Sequence, residues 1–218
     1  MSRWLARRPE YVVLAVAAGA WVWMLAHAAT SPRLTCCRPE PSWLEDFAGW
    51  TAMVVAMMLP TTLAQMRDVA ARSYRLRRLR SVVAYALGYT AWWLVLGVAI
   101  CSLRGVLPAD AAFALFGAAW TLVPWRMQWH RRCHRRLPLH PVEWRATASA
   151  FRQGAAHGAP CIALCWPLMI ACMLTGHSLF VMIACTAHVI YEKRMVRRLE
   201  RVPLVVAALA IAVLTLIV

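Results

Sequence analysis

The sequence has few charged residues, and acidic ones are the rarest among them. Of its 218 residues, 15% are charged and 62% are hydrophobic, with 9 Asp and Glu against 24 Lys and Arg. A soluble globular domain typically has about 25% charged residues. The composition therefore excludes an ordinary soluble domain and predicts an integral membrane protein, in which we find neither an internal repeat nor a separate soluble domain.

Common catalytic patterns are missing as well. The sequence has no H-E-x-x-H run, no glycine-rich phosphate loop and no arrangement of Ser, His and Asp that suggests a triad. No Asp or Glu lies in the middle of an apolar run, where it would act as a general base or relay protons. We therefore expect that the protein is not an enzyme, and a proton-coupled transporter is disfavoured for the same reason.

Apolar runs predict the architecture. A helix needs roughly 17 to 25 apolar residues to cross the hydrocarbon core of a membrane. The runs favour an all-α, polytopic transmembrane bundle of about seven spans, which forms a single domain over residues 1–218. The first run is interpreted as a mature helix rather than a signal peptide, because no convincing cleavage site follows it. The predicted spans are 11–29, 47–66, 82–101, 110–127, 154–174, 177–190 and 203–218.

Basic residues give the predicted orientation. If the N-terminus is cytoplasmic, all Lys and Arg residues except Arg33, Arg38 and Arg104 fall in inside segments, as the positive-inside rule expects. The sequence thus predicts a cytoplasmic N-terminus and a C-terminus outside. The net charge of +15 is interpreted as loops that contact anionic membrane lipids, so no nucleic-acid partner is expected.

The run HGAPCIALCWPLMIACM at 157–173 places soft donors at four-residue steps, namely His157, Cys161, Cys165, Met169 and Met173. Residues four apart lie on one helical face, so Cys165 can chelate one ion with either Cys161 or Met169. Thiolates and thioethers suit Cu(I), imidazole accepts copper or zinc, and the scarcity of carboxylates disfavours magnesium and calcium. Cu(I) is therefore the expected metal, and zinc fits these donors less well.

Three predicted spans bring sulfur to the middle of the membrane. By the predicted topology, this depth holds Met57 and Met58 of the second span, Cys165 of the fifth and Cys185 of the sixth. Broken helices at such a depth commonly form binding sites. Prolines are expected to interrupt the second and fifth spans there, at Pro60, Pro160 and Pro167.

A packing interpretation explains the same residues. Cys and Met are ordinary apolar fillers, and Gly154 with Gly158 forms a G-x-x-x-G spacing that favours close helix contact. His157 would then hydrogen-bond across helices, and Cys185 with His188 would form interhelical contacts, which we favour over a second metal site. Spacing alone leaves the metal and packing interpretations open.

The cysteines outside the predicted spans also allow more than one interpretation. Cys36 and Cys37, in a predicted outside loop, would either form a disulfide, for example with Cys101, or collect an incoming metal. Cys133 lies in the basic run WHRRCHRRLPLH at 129–140. This run is either a metal entry patch or, as we expect, a loop that faces lipid headgroups, because its arginines repel cations.

Three runs resemble a bacterial family. They are WTAMVVAMMLPTT at 50–62, GAAHGAPCIALCWPLM at 154–169 and EK at 192–193. Together they resemble the bacterial integral membrane proteins that are predicted to bind metal and are catalogued as domain-of-unknown-function family 2182. The matching residues are Met57, Met58, Pro60, Gly154, Gly158, Cys161, Cys165, Trp166, Leu168 and Met169.

The chain departs from that family at cysteine positions. Leu164 stands where the family often has a cysteine, and Trp129 takes a usual cysteine place in a middle element that keeps Pro124 and Cys133. Fewer thiols argue against a cluster of several metals and leave a single site. The resemblance implies metal binding, copper handling in looser association, and the inner membrane of a bacterium as the location.

We predict a soft-metal site between the second, fifth and sixth spans. The function would be Cu(I) acquisition, storage or delivery to a membrane metalloenzyme or larger membrane complex. The alternatives are an accessory or assembly subunit that binds no metal and a carrier of lipids or small molecules. The predicted ligands are the thiolates of Cys161 and Cys165, the thioethers of Met57 or Met58 and of Met169, and His157 as an inner gate or fourth ligand.

Overall fold

The computed structural model describes residues 8–30, 42–103, 116–117, 119–120, 123, 126–133, 135–174 and 178–195. Every regular element in these ranges is helical, which confirms the predicted all-α class for this part of the chain. The helices are α1 (Glu10–Thr30), α2 (Trp43–Met58), α3 (Leu63–Arg72), α4 (Arg78–Leu103), α5 (Arg126–Cys133), α6 (Glu143–Leu174) and α7 (Leu179–Met195).

Four helical segments are long and apolar enough to cross a membrane, namely Glu10–Ala29, Trp43–Arg72, Arg75–Leu103 and Trp144–Leu174. They coincide with the first, second, third and fifth predicted spans. Helix α7 covers the predicted sixth span with 17 residues. Most of 110–127 and all of 203–218 lie outside the described residues, so the count of seven spans and the orientation of the termini stay predictions.

Helices α4 and α6 run parallel. The Tyr85 hydroxyl hydrogen-bonds His157 Nδ1, and one turn further along both helices the Tyr89 hydroxyl lies 3.1 Å from Cys161 Sγ. Because the chain separation is the same for the two pairs, the helices point in one direction. This direction agrees with the prediction that the third and fifth spans cross the membrane the same way.

Because α4 and α6 point in the same direction, the chain that connects them has to run back in the opposite direction. Helix α5 is part of this connection. The Arg126 guanidinium donates to the Leu164 carbonyl oxygen at 3.2 Å, about two-thirds of the way along α6. Further on, the Leu137 backbone N–H donates to the Gln153 side-chain oxygen at 2.6 Å, nearer the start of α6. The chain from Arg126 to Leu137 therefore runs antiparallel to α6.

Helix α1 packs antiparallel to α2 and α3 and repairs a break caused by proline. Arg67 lies 3.4 Å from Glu10, and the Trp21 indole N–H donates to the Ala56 carbonyl oxygen at 3.0 Å. Pro60 has no N–H, so the Ala56 carbonyl four residues earlier loses its helical donor. Helix α2 ends at Met58, and a short 3-10 turn, Pro60–Thr62, leads into α3. The expected interruption at Pro60 is confirmed.

The expectation that Pro160 and Pro167 also interrupt their helix is wrong, because α6 is continuous through both. Pro167 deprives the Ala163 carbonyl of its donor in the same way. The Trp120 indole N–H supplies a donor to that carbonyl at 3.0 Å. A neighbouring segment thus satisfies the backbone group that the proline leaves, as membrane helices require.

Candidate metal site

Glycines bring α4 and α6 into backbone contact. A Cβ atom on Gly154 would overlap the Tyr85 carbonyl oxygen, and one on Gly88 would overlap the Phe151 carbonyl oxygen. On Gly158 it would lie 2.8 Å from the carbonyl oxygen of Tyr89. The close packing predicted from G-x-x-x-G is confirmed, and it presses the two α4 tyrosines against the donor face of α6.

The first thiol pair, Cys161 and Cys165, lies on α6, directly after the glycines of this contact. The two side chains interact and are 0% and 1% exposed. The Tyr89 hydroxyl reaches Cys161 from α4 at 3.1 Å. Sequence spacing predicted that these cysteines share a helical face, and the structure places them together in the core.

A lysine lies beside the first thiol pair. The ammonium group of half-buried Lys193, on α7, donates to Cys161 Sγ at 3.6 Å and to Thr61 Oγ1 at 2.7 Å. Thr61 belongs to the turn that follows the break at Pro60. The thiol, the ammonium and the hydroxyl therefore come from three segments that are far apart in sequence, and spacing gave no signal for Lys193 as a site residue.

His157 lies one turn before Cys161 and contacts both tyrosines. Its Nδ1 hydrogen-bonds the Tyr85 hydroxyl, and the rings of Tyr85 and Tyr89 pack against its imidazole at centroid distances of 6.2 and 5.3 Å. The hydrogen bond across helices that the packing interpretation expected for His157 is present. Its use as a gate or metal ligand stays a prediction.

The three predicted thioether ligands are buried in the same hydrophobic core as the thiols. Met57, Met58 and Met169 are each almost fully excluded from solvent. Met57 and Met58 end α2, directly before the break at Pro60, while Met169 is one turn after Cys165 on α6. Their burial fits either interpretation, so their part in the ligand set stays a prediction.

Helix α5 carries a buried ion-pair network beside the site. Arg126 lies 2.8 Å from Glu192, and His130 Nε2 lies 2.9 Å from the same carboxylate. All three side chains are buried. Glu192 thus pairs with an arginine of α5, and because Glu192 precedes Lys193, this network fixes the end of α7 that carries the ammonium group.

The expectation that the basic run around Cys133 faces lipid headgroups is wrong for two of its residues. Cys133 and His130 are each 4% exposed, because α5 packs against α6. Cys133 lies outside the candidate spans, and burial raises the pKa of its thiol to about 12. Cys36 and Cys37, and therefore the predicted outside disulfide or metal entry point, lie outside the described residues.

A second thiol pair joins α6 to α7. The side chains of Cys172 and Cys185 interact, and both are 0% exposed. His188, three residues after Cys185, is also buried. The interhelical contact expected for Cys185 is therefore present, and its partner is a cysteine to which sequence spacing assigned no role.

The described part of the core brings cysteine and methionine sulfur together. Within the described residues, no group of three or more His, Cys, Asp or Glu side chains is placed to hold a metal ion. Structural zinc sites usually need four such nitrogen, sulfur or oxygen ligands. Pairs of thiols with methionines in the same core offer the soft sulfur donors that Cu(I) prefers.

The fold and these pairs define an all-helical protein with a core of soft sulfur donors. Residues 47–217 match the model of the PpoB2 family, described as a copper chaperone. The match covers more than half of the chain and includes both thiol pairs, so the protein belongs to the PpoB2 copper chaperone family. This confirms the expected relation to copper. No curated protein and no solved structure matches the chain significantly.

Proposed function

We propose that the protein is an integral membrane copper chaperone that binds Cu(I) at the first thiol pair. Of acquisition, storage and delivery, delivery to a membrane metalloenzyme best suits membership of a chaperone family. The observation that carries the proposal is the contact between the Lys193 ammonium group and Cys161, 3.6 Å away, inside an apolar core.

The charge of the complex explains why an ammonium group belongs there. Two thiolates and one Cu(I) ion together carry one negative charge. Placing an uncompensated charge in an apolar interior costs several kcal/mol, about as much as a lost ion-pair partner. Lys193 supplies the compensating positive charge, and Thr61 and the Glu192 network hold α7 in the position that presents it. Cysteines that only pack would need no such partner.

The remaining predicted ligands complete the proposed site. Met57 or Met58 and Met169 would contribute thioether sulfur, which binds Cu(I) without adding charge. His157 would act as a gate or fourth ligand, and its bond to Tyr85 would hold it back while the site is free of copper. Such a binding and release cycle needs no chemical conversion, so the protein would not be an enzyme.

We also propose a location in the inner membrane of a bacterium. The candidate spans support a membrane location, and the parallel directions of α4 and α6 agree with the predicted alternation of the spans. The basic residues would meet anionic lipids on that side. The resemblance to domain-of-unknown-function family 2182, whose members are integral membrane proteins, is part of this proposal.

Copper loading tests the proposal. The parent and a Cys161→Ser, Cys165→Ser double variant are purified in detergent, loaded with Cu(I) under reducing conditions and analysed for metal. We expect the double variant to lose about one copper per chain, because a hydroxyl is a poor ligand for this soft ion. Cys101→Ser, at the end of α4, is the matched control and should keep the parent content.

Equal copper in the parent and the double variant would reject the first thiol pair as a site. Negligible copper in both, together with a stoichiometric protein partner after purification, would favour an accessory subunit whose cysteines only pack.

A further inference from the structure

We propose that Cys172 and Cys185 form a second Cu(I) site and that copper passes between the two thiol pairs along the α6–α7 hairpin. The transfer rests on the proposed function, because it needs the first pair as the other copper site. The second site itself rests on different residues and can be tested separately.

The geometry of the second thiol pair carries the inference. The two thiols come from different helices that pack against each other, their side chains interact, and both are fully buried. Cu(I) accepts soft sulfur ligands in such small numbers. Two neighbouring thiols on packed helices can therefore release their protons and bind a metal ion without a large movement of either backbone.

The two pairs are separate sites on one hairpin. Cys172 is two helical turns beyond Cys165, about 10 Å along the axis of α6, which is too far for one ion to bridge. On α7, Lys193 meets the first pair while Cys185 belongs to the second. Both contacts fit one antiparallel hairpin, so the arrangement is two single-metal sites at different depths and not a metal cluster.

His188 lies between the two pairs on α7. It follows Cys185 by three residues, which puts both side chains on one helical face, and it precedes Lys193. The side chain is 3% exposed, and neither ring nitrogen hydrogen-bonds to a described residue. A buried imidazole without hydrogen bonds is costly, whereas a copper ion would satisfy a ring nitrogen. We assign it the role of an intermediate ligand.

The transfer needs no redox partner. Copper stays Cu(I) throughout, and each step forms one bond to a new donor before a bond to an old donor breaks. The thiols that copper leaves take up the protons that the accepting thiols release. The Lys193 ammonium is about 12 Å along α7 from Cys185, so it compensates charge at the first pair and not at the second. We therefore expect tighter binding at the first pair and net transfer towards it.

Copper stoichiometry of matched variants tests the second site. We expect about two Cu(I) per parent chain, about one in Cys172→Ser, Cys185→Ser, about one in Cys161→Ser, Cys165→Ser, and none when all four are replaced. Size-exclusion profiles and circular dichroism show whether each variant is folded. The unaltered parent provides a check that needs no substitution, since its titration against a chromophoric Cu(I) chelator should show two binding events.

The outcomes separate the two proposals. If the Cys172→Ser, Cys185→Ser variant keeps the parent copper content and the parent shows one binding event, the second site is wrong and the first stands. If this variant loses one copper while Cys161→Ser, Cys165→Ser loses none, the first site is wrong and the second stands. A parent that binds no Cu(I) overturns both.

X-ray absorption tests the role of His188. His188 and the two thiols do not form a three-ligand group within the described residues, so His188 would have to move onto the ion when copper binds. In the Cys161→Ser, Cys165→Ser background loaded with Cu(I), we therefore expect scattering from sulfur and from one recruited imidazole nitrogen. His188→Leu should remove the nitrogen and leave the sulfur. Sulfur scattering alone, identical with and without His188→Leu, would overturn the assignment of His188 as a ligand.

Discussion

The two thiol pairs differ in how the fold creates them. The first pair stands one turn apart on a single helix, so helical geometry brings Cys161 and Cys165 together before any packing occurs. The second pair exists only where α7 folds back on α6 and Cys185 meets Cys172. The first also has an ammonium group beside it. The first pair is therefore suited to hold a charged copper complex. The second pair would let α6 and α7 share a copper ion during transfer.

Breaking the α4–α6 contact should have the largest effect and should affect mainly the first pair. In Gly154→Val, the new side chain would collide with the Tyr85 backbone, so we expect a loss of at least about 3 kcal/mol of stability. Tyr89 would move away from Cys161, and copper at the first pair would weaken. Thermal unfolding followed by circular dichroism and Cu(I) competition measure the two effects.

Gly19→Val is the matched control, because a Cβ atom on Gly19 meets nothing within 4 Å. The second pair, which depends on α6 and α7, should still bind copper in Gly154→Val. Equal unfolding temperatures for the two glycine variants would contradict the described contact.

Removal of the Lys193 ammonium group should have the second-largest effect. It should lower the Cu(I) affinity of the first pair and leave that of the second pair unchanged. Breaking a buried ion pair costs about 3–5 kcal/mol. Because Lys193 is half-buried, we expect the lower end of this range, so Lys193→Met should lower the Cu(I) affinity of the first pair by about two orders of magnitude. This is measured by chelator competition in the Cys172→Ser, Cys185→Ser background. The second pair, measured in the Cys161→Ser, Cys165→Ser background, should be unaffected.

Lys193→Arg keeps the charge and should retain most of the affinity. If Lys193→Met leaves the first pair as tight as before, charge compensation is not the function of this residue.

A smaller effect is expected at Pro167, which lies on α6 between the two thiol pairs. Trp120→Phe removes the donor to the Ala163 carbonyl that Pro167 leaves without its helical partner, so we expect a loss of about 1–2 kcal/mol. In a Pro167→Ala background the residue at 167 supplies its own N–H, and the same substitution should cost much less. A double-mutant cycle of unfolding free energies tests this, and equal costs in both backgrounds would contradict it.

The smallest effect concerns a thiol in neither pair. Because burial raises the pKa of Cys133 to about 12, roughly a thousandfold less thiolate is present at pH 8 than for an ordinary thiol. We expect alkylation at Cys133 to be correspondingly slow and to keep accelerating up to about pH 12. Mass spectrometry of the alkylated protein checks this, and a rate that levels off near pH 9 would show an ordinary thiol.

Much of the fold and part of the site could be predicted from periodicity. Apolar runs located five of the helices, and four-residue spacing placed Cys161 and Cys165 on one face. The resemblance included Lys193 in its EK run, but its role could not be predicted, because that role depends on a contact with a thiol and a hydroxyl that lie on two other segments. The role of Cys172 could not be predicted for the same reason, since its partner, Cys185, lies on another helix.

The error at the α6 prolines has a similar origin. Sequence alone shows that a proline frees a carbonyl, but it does not show whether a neighbour supplies a donor. Trp21 does so for Ala56 and Trp120 for Ala163. Tryptophans that composition assigns to membrane interfaces thus serve as internal donors in this protein.

The most direct test of the central claim isolates the first pair. Cys172→Ser, Cys185→Ser protein, which retains the first thiol pair and lacks the second, is titrated with Cu(I) in competition with a chromophoric chelator, beside the same protein carrying Cys161→Ser. The account predicts about one tightly bound copper in the former and none in the latter. Identical curves that show no binding by either protein would contradict it.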